Sequence, residues 1–255
     1  WNLVDFYPNK QAKEFERIDE YILAKNQSII NYCNEMFDEY NFSSALSSLM
    51  TYMSSDLSAI YLDMAKDSLY CDSRESKRRN QIQTVLYTIS ESLLRILNPI
   101  LPFTMDEFNK NLPGKREVNP QLLSFPKVEI FNECLLKEYD KFLEIREDIF
   151  KALEEARTNS IIGSSQEAHV FIKIKDPASH EIHASKEIKS SLAKLFVGSE
   201  ITFGDVKDGK EYNYSYIKVI HHTGHRCDRC WNYEEDAIML EDGTYLCKRC
   251  QEVIK

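Results

Sequence analysis

The sequence predicts a mainly α-helical protein, in which an antiparallel helical bundle is followed by a small α/β segment and a cysteine-rich C-terminal segment. Apolar residues recur every three or four positions through about the first 158 residues, the period of an amphipathic helix. Glycine is rare, at 7 of 255 residues, which disfavours Gly-rich nucleotide-binding loops. Four of the seven cysteines lie within residues 221–255, so that segment needs an explanation of its own.

The first two helices follow from their apolar stripes. One stripe runs from Phe15 to Tyr40, and Asn41 then interrupts the pattern with a residue type that caps helix N-termini. A second helix follows, and its stripe is expected to be buried; it comprises Leu46, Leu49, Met50, Met53, Leu57, Ile60, Tyr61 and Met64.

Three more helices complete the predicted bundle. The stripe from Ile82 to Leu97 ends before Pro99, because proline disfavours the helical conformation of the residue before it. Thr104 and Glu107 match a capping box, which predicts a short helix opening at Thr104. A last helix is expected to end near Arg157. Such stripes are the core of a bundle rather than a cofactor site.

The periodicity changes after residue 158. Val170, Ile172 and Ile174 alternate as in a half-buried strand. Residues 200–203 and 214–219 are further predicted strands, and residues 185–196 a predicted helix. We therefore divide the chain into a bundle at 1–158, an α/β segment at 159–220 and a terminal domain at 221–255.

The terminal cysteines have the spacing of a metal site. Cys227 and Cys230 form one C-x-x-C pair, Cys247 and Cys250 form a second, and 16 residues separate the pairs. Two intervening residues let both sulfurs of a tight turn face one point, and four thiolates satisfy tetrahedral zinc. Because four cysteines leave no coordination position for water, the zinc is predicted to be structural rather than catalytic.

The spacer between the pairs supports this zinc finger. Asp242-Gly243 is a strong signal for a two-residue hairpin turn, which would return the second pair to the first. Disulfides, an iron site and a redox dithiol pair are the rival interpretations. His221, His222 and His225 precede the first pair and are expected to be linker residues rather than ligands. Cys33, Cys71 and Cys134 are expected to be buried thiols.

The charge and the termini restrict the class of protein. The net charge is -9, so any contact with nucleic acid has to be local rather than a general basic coat. No run of 18 apolar residues is present, which predicts no membrane span. The chain lacks a signal peptide and begins with Trp1-Asn2-Leu3, which suggests a cytoplasmic protein and a piece of a longer chain.

Several motifs follow one another along the whole chain: Asp56 to Cys71, Arg79 with Gln83 to Tyr87, Pro99 to Thr104, Arg146 with Ala152 to Arg157, Ile162 to Ser165, Glu167-Ala168, and the cysteine pairs with Trp231. In this order they resemble the C-terminal part of the bacterial isoleucyl-tRNA synthetases, which are class I aminoacyl-tRNA synthetases. One departure is the segment Asp106 to Asn109, which lacks a tryptophan that the family often has there.

The resemblance implies the anticodon-binding domain and zinc domain of an ATP-dependent enzyme that joins isoleucine to its tRNA. The catalytic and editing domains would then lie upstream, so this chain is expected to be catalytically inactive, to use ATP only through the missing part and to be a monomer. The pattern H-x-G-H at His222 to His225 resembles the ATP-binding signature of the class, but its place beside a zinc pair argues against that role. A related synthetase for valine, leucine or methionine, a zinc-stapled protein-interaction scaffold and a zinc-ribbon transcription protein are the alternatives.

Unpaired anticodon bases are recognised by stacking on aromatic rings and guanidinium planes, so the tRNA contacts should combine cations with an exposed aromatic. Arg229 and Trp231, which flank Cys230, are the leading candidates. Four cations between the second and third helices are candidates for phosphate contacts; they are Arg74, Lys77, Arg78 and Arg79.

Overall fold

The computed structural model describes residues 3, 5–114, 118–176 and 198–254. They divide into two compact units, one of residues 1–65 with 73–136 and one of residues 66–72 with 137–255. Within these described ranges, every helix is too short or too polar to span a lipid bilayer. The division of the chain at residues 158 and 220 stays a prediction.

The first unit is helical, as predicted. Its elements are α1 (Arg17–Asp38), α2 (Phe42–Thr51), a π-helical stretch (Tyr52–Leu62), α3 (Asp63–Cys71), α4 (Lys77–Leu97) and α5 (Pro102–Asn111). The last turns of α3, from Lys66, belong to the second unit. The predicted second helix is therefore three successive segments, because its middle turns use the wider π-helical hydrogen-bonding pattern.

The helix boundaries agree with the sequence signals at one point and not at another. The Asn41 side chain accepts a hydrogen bond from the backbone N–H of Ser44, so Asn41 caps α2 as expected. The capping box predicted at Thr104 is wrong, because α5 begins two residues earlier with Pro102 at its first position. Proline has no N–H to satisfy there, and its fixed φ suits the first turn.

A charged network lies within the core of the first unit. Asp19 is fully buried, and it accepts a hydrogen bond of 2.7 Å from the Tyr61 hydroxyl. The Arg78 guanidinium forms a two-pronged pair with the same carboxylate, and only 12% of that side chain is exposed. A buried carboxylate is tolerated when it is paired and hydrogen-bonded, so this network joins α1, the π-helical stretch and α4.

The second unit combines α6, a four-stranded sheet and the terminal zinc-finger segment. Its remaining elements are α6 (Glu133–Thr158, entering the unit at Lys137), β1 (Ala168–Ile174), β2 (Glu200–Phe203), β3 (Lys210–Glu211), β4 (Ser215–His221), β5 (His225–Arg226), β6 (Tyr233–Glu234), β7 (Ile238–Met239), β8 (Tyr245–Leu246) and α7 (Lys248–Ile254). The three strands predicted for the α/β segment are β1, β2 and β4. The predicted helix 185–196 lies outside the described residues.

The sheet has the strand order β2-β1-β4-β3. β1 pairs in parallel with β2 and antiparallel with β4, with Val170 opposite Val219. The alternating residues predicted for β1 point inward, since Val170, Ile172 and Ile174 are buried.

Helix α6 is fastened to the β3–β4 edge by carboxylates. The Asp148 carboxylate, 1% exposed, accepts hydrogen bonds from the Tyr214 backbone N–H (2.7 Å) and the Ser215 hydroxyl (2.9 Å). Glu155, two turns further along the same face of the helix, accepts a hydrogen bond from the Tyr212 hydroxyl and pairs with Lys210. Satisfied buried polar groups of this kind fix one orientation of a helix on a sheet.

Three sequence expectations about burial are wrong. Tyr40, the last residue of the first stripe, lies beyond the end of α1 and is 82% exposed. Cys33 and Cys71 are buried, as expected, but Cys134 is exposed in the first turn of α6. Met50, assigned to the apolar stripe of the second helix, is 63% exposed. It lies within α2, where the residue before it is the buried one, and adjacent residues of an α-helix point about 100° apart.

Candidate metal centre and nucleic-acid interface

The four clustered cysteines meet at one point of the second unit. Cys227 follows β5, Cys247 follows β8 and Cys250 lies in α7, and these three are buried, while Cys230 is partly buried. Their sulfur atoms all lie within 4.8 Å of one another. Among the described residues they are the only group of three or more candidate ligands placed to hold a metal ion.

The hairpin between the pairs forms where predicted, but its loop has three residues, 241–243, rather than the predicted two. Gly243 adopts φ 85°, and the Leu240 N–H donates to the Thr244 carbonyl across the turn at 2.8 Å. The Asp242 carboxylate accepts from both the backbone N–H and the hydroxyl of Thr244. The hairpin therefore brings β8, and the second cysteine pair after it, back to the first pair.

The spacing of the sulfurs fits tetrahedral zinc. Zinc–sulfur bonds of about 2.3 Å at tetrahedral angles separate the sulfurs by about 3.8 Å. The Sγ atoms of Cys230 and Cys247, which belong to different pairs, are 3.8 Å apart. A disulfide would bring them to about 2 Å, so this spacing fits four ligands around one ion rather than oxidised pairs.

Backbone N–H groups around the cluster favour thiolates. Burial raises the pKa of Cys227, but N–H groups of Cys230, Cys247 and Arg229 directed at its sulfur outweigh burial and lower this pKa to about 7. Burial raises the pKa of Cys247 to about 11, against one N–H donor from Cys250. Zinc binds the deprotonated form, so the N–H donors supply part of the stabilisation that a four-thiolate site needs.

The two leading candidates for tRNA contacts have different surroundings. The Arg229 guanidinium is partly buried and donates to the carbonyl oxygen of Cys71 and, at 3.5 Å, to the Cys250 sulfur. Trp231 is 54% exposed. Its backbone has φ 68°, in the left-handed region, and its N–H donates to the Cys227 carbonyl at 2.8 Å. This positive φ is unusual for a bulky side chain and indicates a locally strained turn.

Arg226 is a cation at this surface that the sequence reasoning missed. Its guanidinium carbon lies 5.3 Å from the centre of the Trp231 ring, within the range of a cation–π contact. Strand pairing explains the meeting, because Arg226 lies opposite Tyr233 in the β5–β6 ladder and Trp231 precedes β6. The pattern R-C-x-x-C-W contained the signal, but only the ladder brings its ends together.

The four cations after α3 lie in the first unit and are not equivalent. The Arg74 side chain is 82% exposed, with its Nε 3.5 Å from Asp5. Lys77 is 73% exposed and pairs with Glu14 at 2.6 Å. Arg78 and Arg79 are each 12% exposed; Arg78 pairs with Asp19 and Arg79 with Asp5. The exposed members of the set are thus Arg74 and Lys77.

The three histidines before the first pair lie outside the cysteine cluster. His222 is 4% exposed, and its Nδ1 accepts from the Gly224 N–H, so Nε2 carries the proton directed at Glu200, 3.1 Å away. His225 stacks on Tyr245 with ring centres 4.5 Å apart. His221 lies beside Glu167. The H-x-G-H pattern therefore forms a structural turn.

A close approach between two backbone segments explains why residue 224 in that turn is a glycine. A Cβ atom there would lie 2.5 Å from the Glu234 carbonyl oxygen and 2.8 Å from the Glu235 nitrogen. Glycine therefore permits the close approach of the chain to β6.

Two family profiles match the chain. The profile described as the anticodon-binding domain of tRNA ligase matches residues 19–172, and that described as a zinc finger found in FPG and IleRS matches residues 224–253. The second match contains all four cysteines. Together with the sulfur cluster, it indicates one structural zinc ion.

Among curated proteins, the chain is similar to isoleucine–tRNA ligases. It is 34% identical over 260 residues to that of Macrococcus caseolyticus, with 100% of this chain and 28% of the relative covered. It is 34% identical over 263 residues to that of Staphylococcus carnosus (99% and 28%) and 34% over 261 residues to that of Fervidobacterium nodosum (100% and 28%). The chain thus spans 28% of the length of these relatives.

Proposed function

The chain belongs to the anticodon-binding domains of tRNA ligases, and from that premise we propose that it is the tRNA-recognition part of an isoleucine–tRNA ligase. The enzyme would attach isoleucine to its tRNA with ATP, in the cytoplasm, using domains outside this chain. The matched relatives carry the name isoleucine–tRNA ligase, which favours isoleucine over valine, leucine or methionine. The absence of a catalytic centre from this chain stays a prediction.

The observation that carries the proposal is the exposed, left-handed Trp231 with Arg226 against its ring. An unpaired anticodon base can stack on an indole, at about 1–3 kcal/mol per base. The adjacent guanidinium adds a positive charge close to the RNA backbone. The left-handed backbone of Trp231 closes the first cysteine turn, with its N–H on the Cys227 carbonyl, and so holds the ring exposed at the surface.

The acidic charge of residues 221–254 agrees with recognition by a few placed groups rather than by a broad basic surface. We propose Trp231 and Arg226 as direct contacts in this region. Arg229 is expected to hold the turn that carries Trp231 in place rather than to contact RNA, because its guanidinium already donates to the Cys71 carbonyl and the Cys250 sulfur. Arg74 and Lys77 remain proposed phosphate contacts in the first unit, and the burial of Arg78 and Arg79 favours a structural role for both.

The test is a gel shift of the zinc-loaded chain with isoleucine tRNA and with the same tRNA altered in the anticodon. Trp231→Gly removes the ring, while glycine accepts the left-handed backbone without strain. We expect about ten-fold or greater loss of affinity from the loss of one stacked base. The altered tRNA should bind the unsubstituted chain equally weakly.

A matched control is available in the first unit. Tyr40 is also an exposed aromatic with positive φ, 82% exposed at φ 59°, and it follows the acidic pair Asp38-Glu39. Tyr40→Gly makes the same kind of substitution where the local charge disfavours RNA, so its affinity should not change. Equal binding by the Trp231→Gly chain, or no preference between the two tRNAs, would contradict the proposal.

A further inference from the structure

The two cysteine pairs carry an arginine at the same position. Each C-x-x-C segment, which we call a knuckle, has arginine as its third residue: Arg229 in Cys227-Asp-Arg-Cys230 and Arg249 in Cys247-Lys-Arg-Cys250. Arg229 donates to the sulfur of Cys250, a cysteine of the opposite knuckle. Arg249 directly precedes that cysteine in the chain, so both arginines lie beside the cysteine cluster.

The same two guanidinium groups reach the C-terminal turns of α3, which belong to the same compact unit. Arg229 donates to the carbonyl oxygen of Cys71, one of the terminal carbonyls that have no partner within the helix. Arg249 forms a two-pronged pair with Asp67, including an Nη2–Oδ1 contact of 2.7 Å, and its Nη1 lies 3.4 Å from Asp72.

Charge explains why cations are needed here. One Zn²⁺ with four thiolates has a net charge of -2, and the helix end beside it presents the carboxylates of Asp67 and Asp72 and the negative end of its dipole. Without the guanidinium groups, these negative groups would face one another at short range in a partly buried site, where repulsion is poorly screened. The planar fork of arginine can serve both sides at once, which the point charge of lysine cannot.

We propose that Arg229 and Arg249 form an electrostatic clasp that keeps zinc in the four-cysteine site and fastens both knuckles to the end of α3. They are positioning residues: they do not ligate the metal, and they hold the sulfurs and the turn that carries Trp231. The clasp depends on the zinc site and not on the identity of any RNA partner, so its test does not involve tRNA.

The experiment measures zinc release from the zinc-loaded chain into excess chelator with a colorimetric zinc indicator. Substitution of groups that support metal ligands costs about 10–100-fold in metal affinity. We therefore expect Arg249→Met and Arg229→Met each to speed release by about ten-fold or more. Lys248→Met removes the same charge from the neighbouring, exposed position of the second knuckle and should release zinc at the original rate.

A second pair of variants separates charge from packing. If repulsion drives the loss, Asp67→Asn combined with Arg249→Met should slow zinc release relative to Arg249→Met alone, because one of the opposed charges is gone. Arg249→Lys, which keeps the charge and loses the fork, should lie between the original chain and Arg249→Met. Hydrogen exchange of the amides of residues 68–72 should rise in Arg249→Met even while zinc is bound.

Three results would overturn the clasp. One is release from both arginine variants at the rate of Lys248→Met. Another is no recovery on adding Asp67→Asn, which would indicate a packing role without charge coupling. The third is unchanged exchange at residues 68–72. If the arginine variants do not fold in the presence of zinc, the milder Arg249→Lys variant, with and without Asp67→Asn, decides the question by the same comparison.

Discussion

At the scale of single residues, the described chain uses charge inside its core as well as at its metal centre. Arg78 was predicted from its position in a basic cluster to contact RNA phosphates. Its guanidinium is instead committed to the buried Asp19, which also receives the Tyr61 hydroxyl. A sequence shows that four cations are close together in the chain, but the burial of each depends on which helix face meets a neighbour.

Arg78→Met should destabilise the first unit by about 3–5 kcal/mol, because it leaves the Asp19 carboxylate buried without its cation. The double variant Asp19→Asn with Arg78→Met should lose less stability than Arg78→Met alone, because the unpaired buried charge is then removed. Urea denaturation followed by circular dichroism measures both. Lys77→Met, at an exposed pair on the same helix, is the control and should leave the midpoint unchanged.

Gly224→Ala should destabilise the zinc-finger segment by about 1–3 kcal/mol, the usual cost of forcing extra volume into a packed site. The new methyl group would meet the backbone of Glu234 and Glu235, which cannot move without breaking the β5–β6 pairing. Gly204→Ala is the matched control, since a Cβ there meets nothing within 4 Å. Equal thermal midpoints for the two variants would show that the close approach is relaxed in solution.

At the scale of elements, the terminal hairpins and α7 have little apolar core of their own. The buried cluster there comprises Cys227, Leu246, Cys247 and Cys250, with Cys230 against it. Three of its four buried members are predicted metal ligands. Most of the folding free energy of β5 to α7 should therefore come from metal binding.

Removal of zinc by a chelator should unfold residues after about 221 while the helices of the first unit persist. Hydrogen exchange would show loss of protection at β5 to α7, with amides of α1 and α4 unaffected. Far-UV circular dichroism should change only slightly. Retained protection in the terminal segment of metal-free protein would contradict the structural role of the ion.

The elements also show what a sequence can predict. The stripe of α4 and the Asn41 cap depend on neighbours within a few residues, and these predictions agree with the fold. The stripe of α1 agrees except at its last residue, Tyr40, and the Asp242-Gly243 signal predicted the hairpin but not its three-residue loop. The π-helical stretch at Tyr52–Leu62 was missed, because its residues are ordinary helix formers. The helix α5 begins at Pro102 and not at a capping box, since Pro102 offered a second start signal two residues earlier.

For the candidate site, too, the features that depend on nearby residues could be predicted, and those that depend on the fold could not. The four predicted metal ligands follow from local spacing, whereas the contacts of Arg226 with Trp231 and of Arg249 with Asp67 join residues that strand pairing or the fold brings together. Arg249 lies 182 positions from Asp67, so no local pattern predicts their meeting. The repeat of arginine at the third position of both knuckles was the only trace of its role.

At the scale of the whole molecule, the net charge of -9 limits how this chain can associate with RNA. Long-range attraction is absent, so affinity has to come from short-range stacking and a few cations. The dependence of binding on salt counts those cations, because each neutralised phosphate releases bound counterions.

A plot of the logarithm of the tRNA association constant against the logarithm of salt concentration should fall with a shallow slope. Each phosphate contact on a single strand contributes about -0.7 to that slope, and we expect about two to four such contacts in all. Lys77→Met should remove the contribution of about one phosphate contact and so make the slope shallower by that amount. Lys110→Met is the matched control, since both lysines are exposed and both pair with a carboxylate at 2.6 Å. A slope typical of a basic protein, or equal effects of the two substitutions, would contradict this picture.

The exposure of Cys134 has a practical consequence. Burial raises the pKa of the Cys33 and Cys71 thiols to about 11 each, and the other four sulfurs are ligands when zinc is bound. A maleimide dye should therefore attach to the zinc-loaded protein at Cys134 alone, without any engineered cysteine. The unaltered chain thus carries its own attachment point for a fluorophore, and the dye uptake that follows chelation would report directly on the fraction of molecules that have lost their ion.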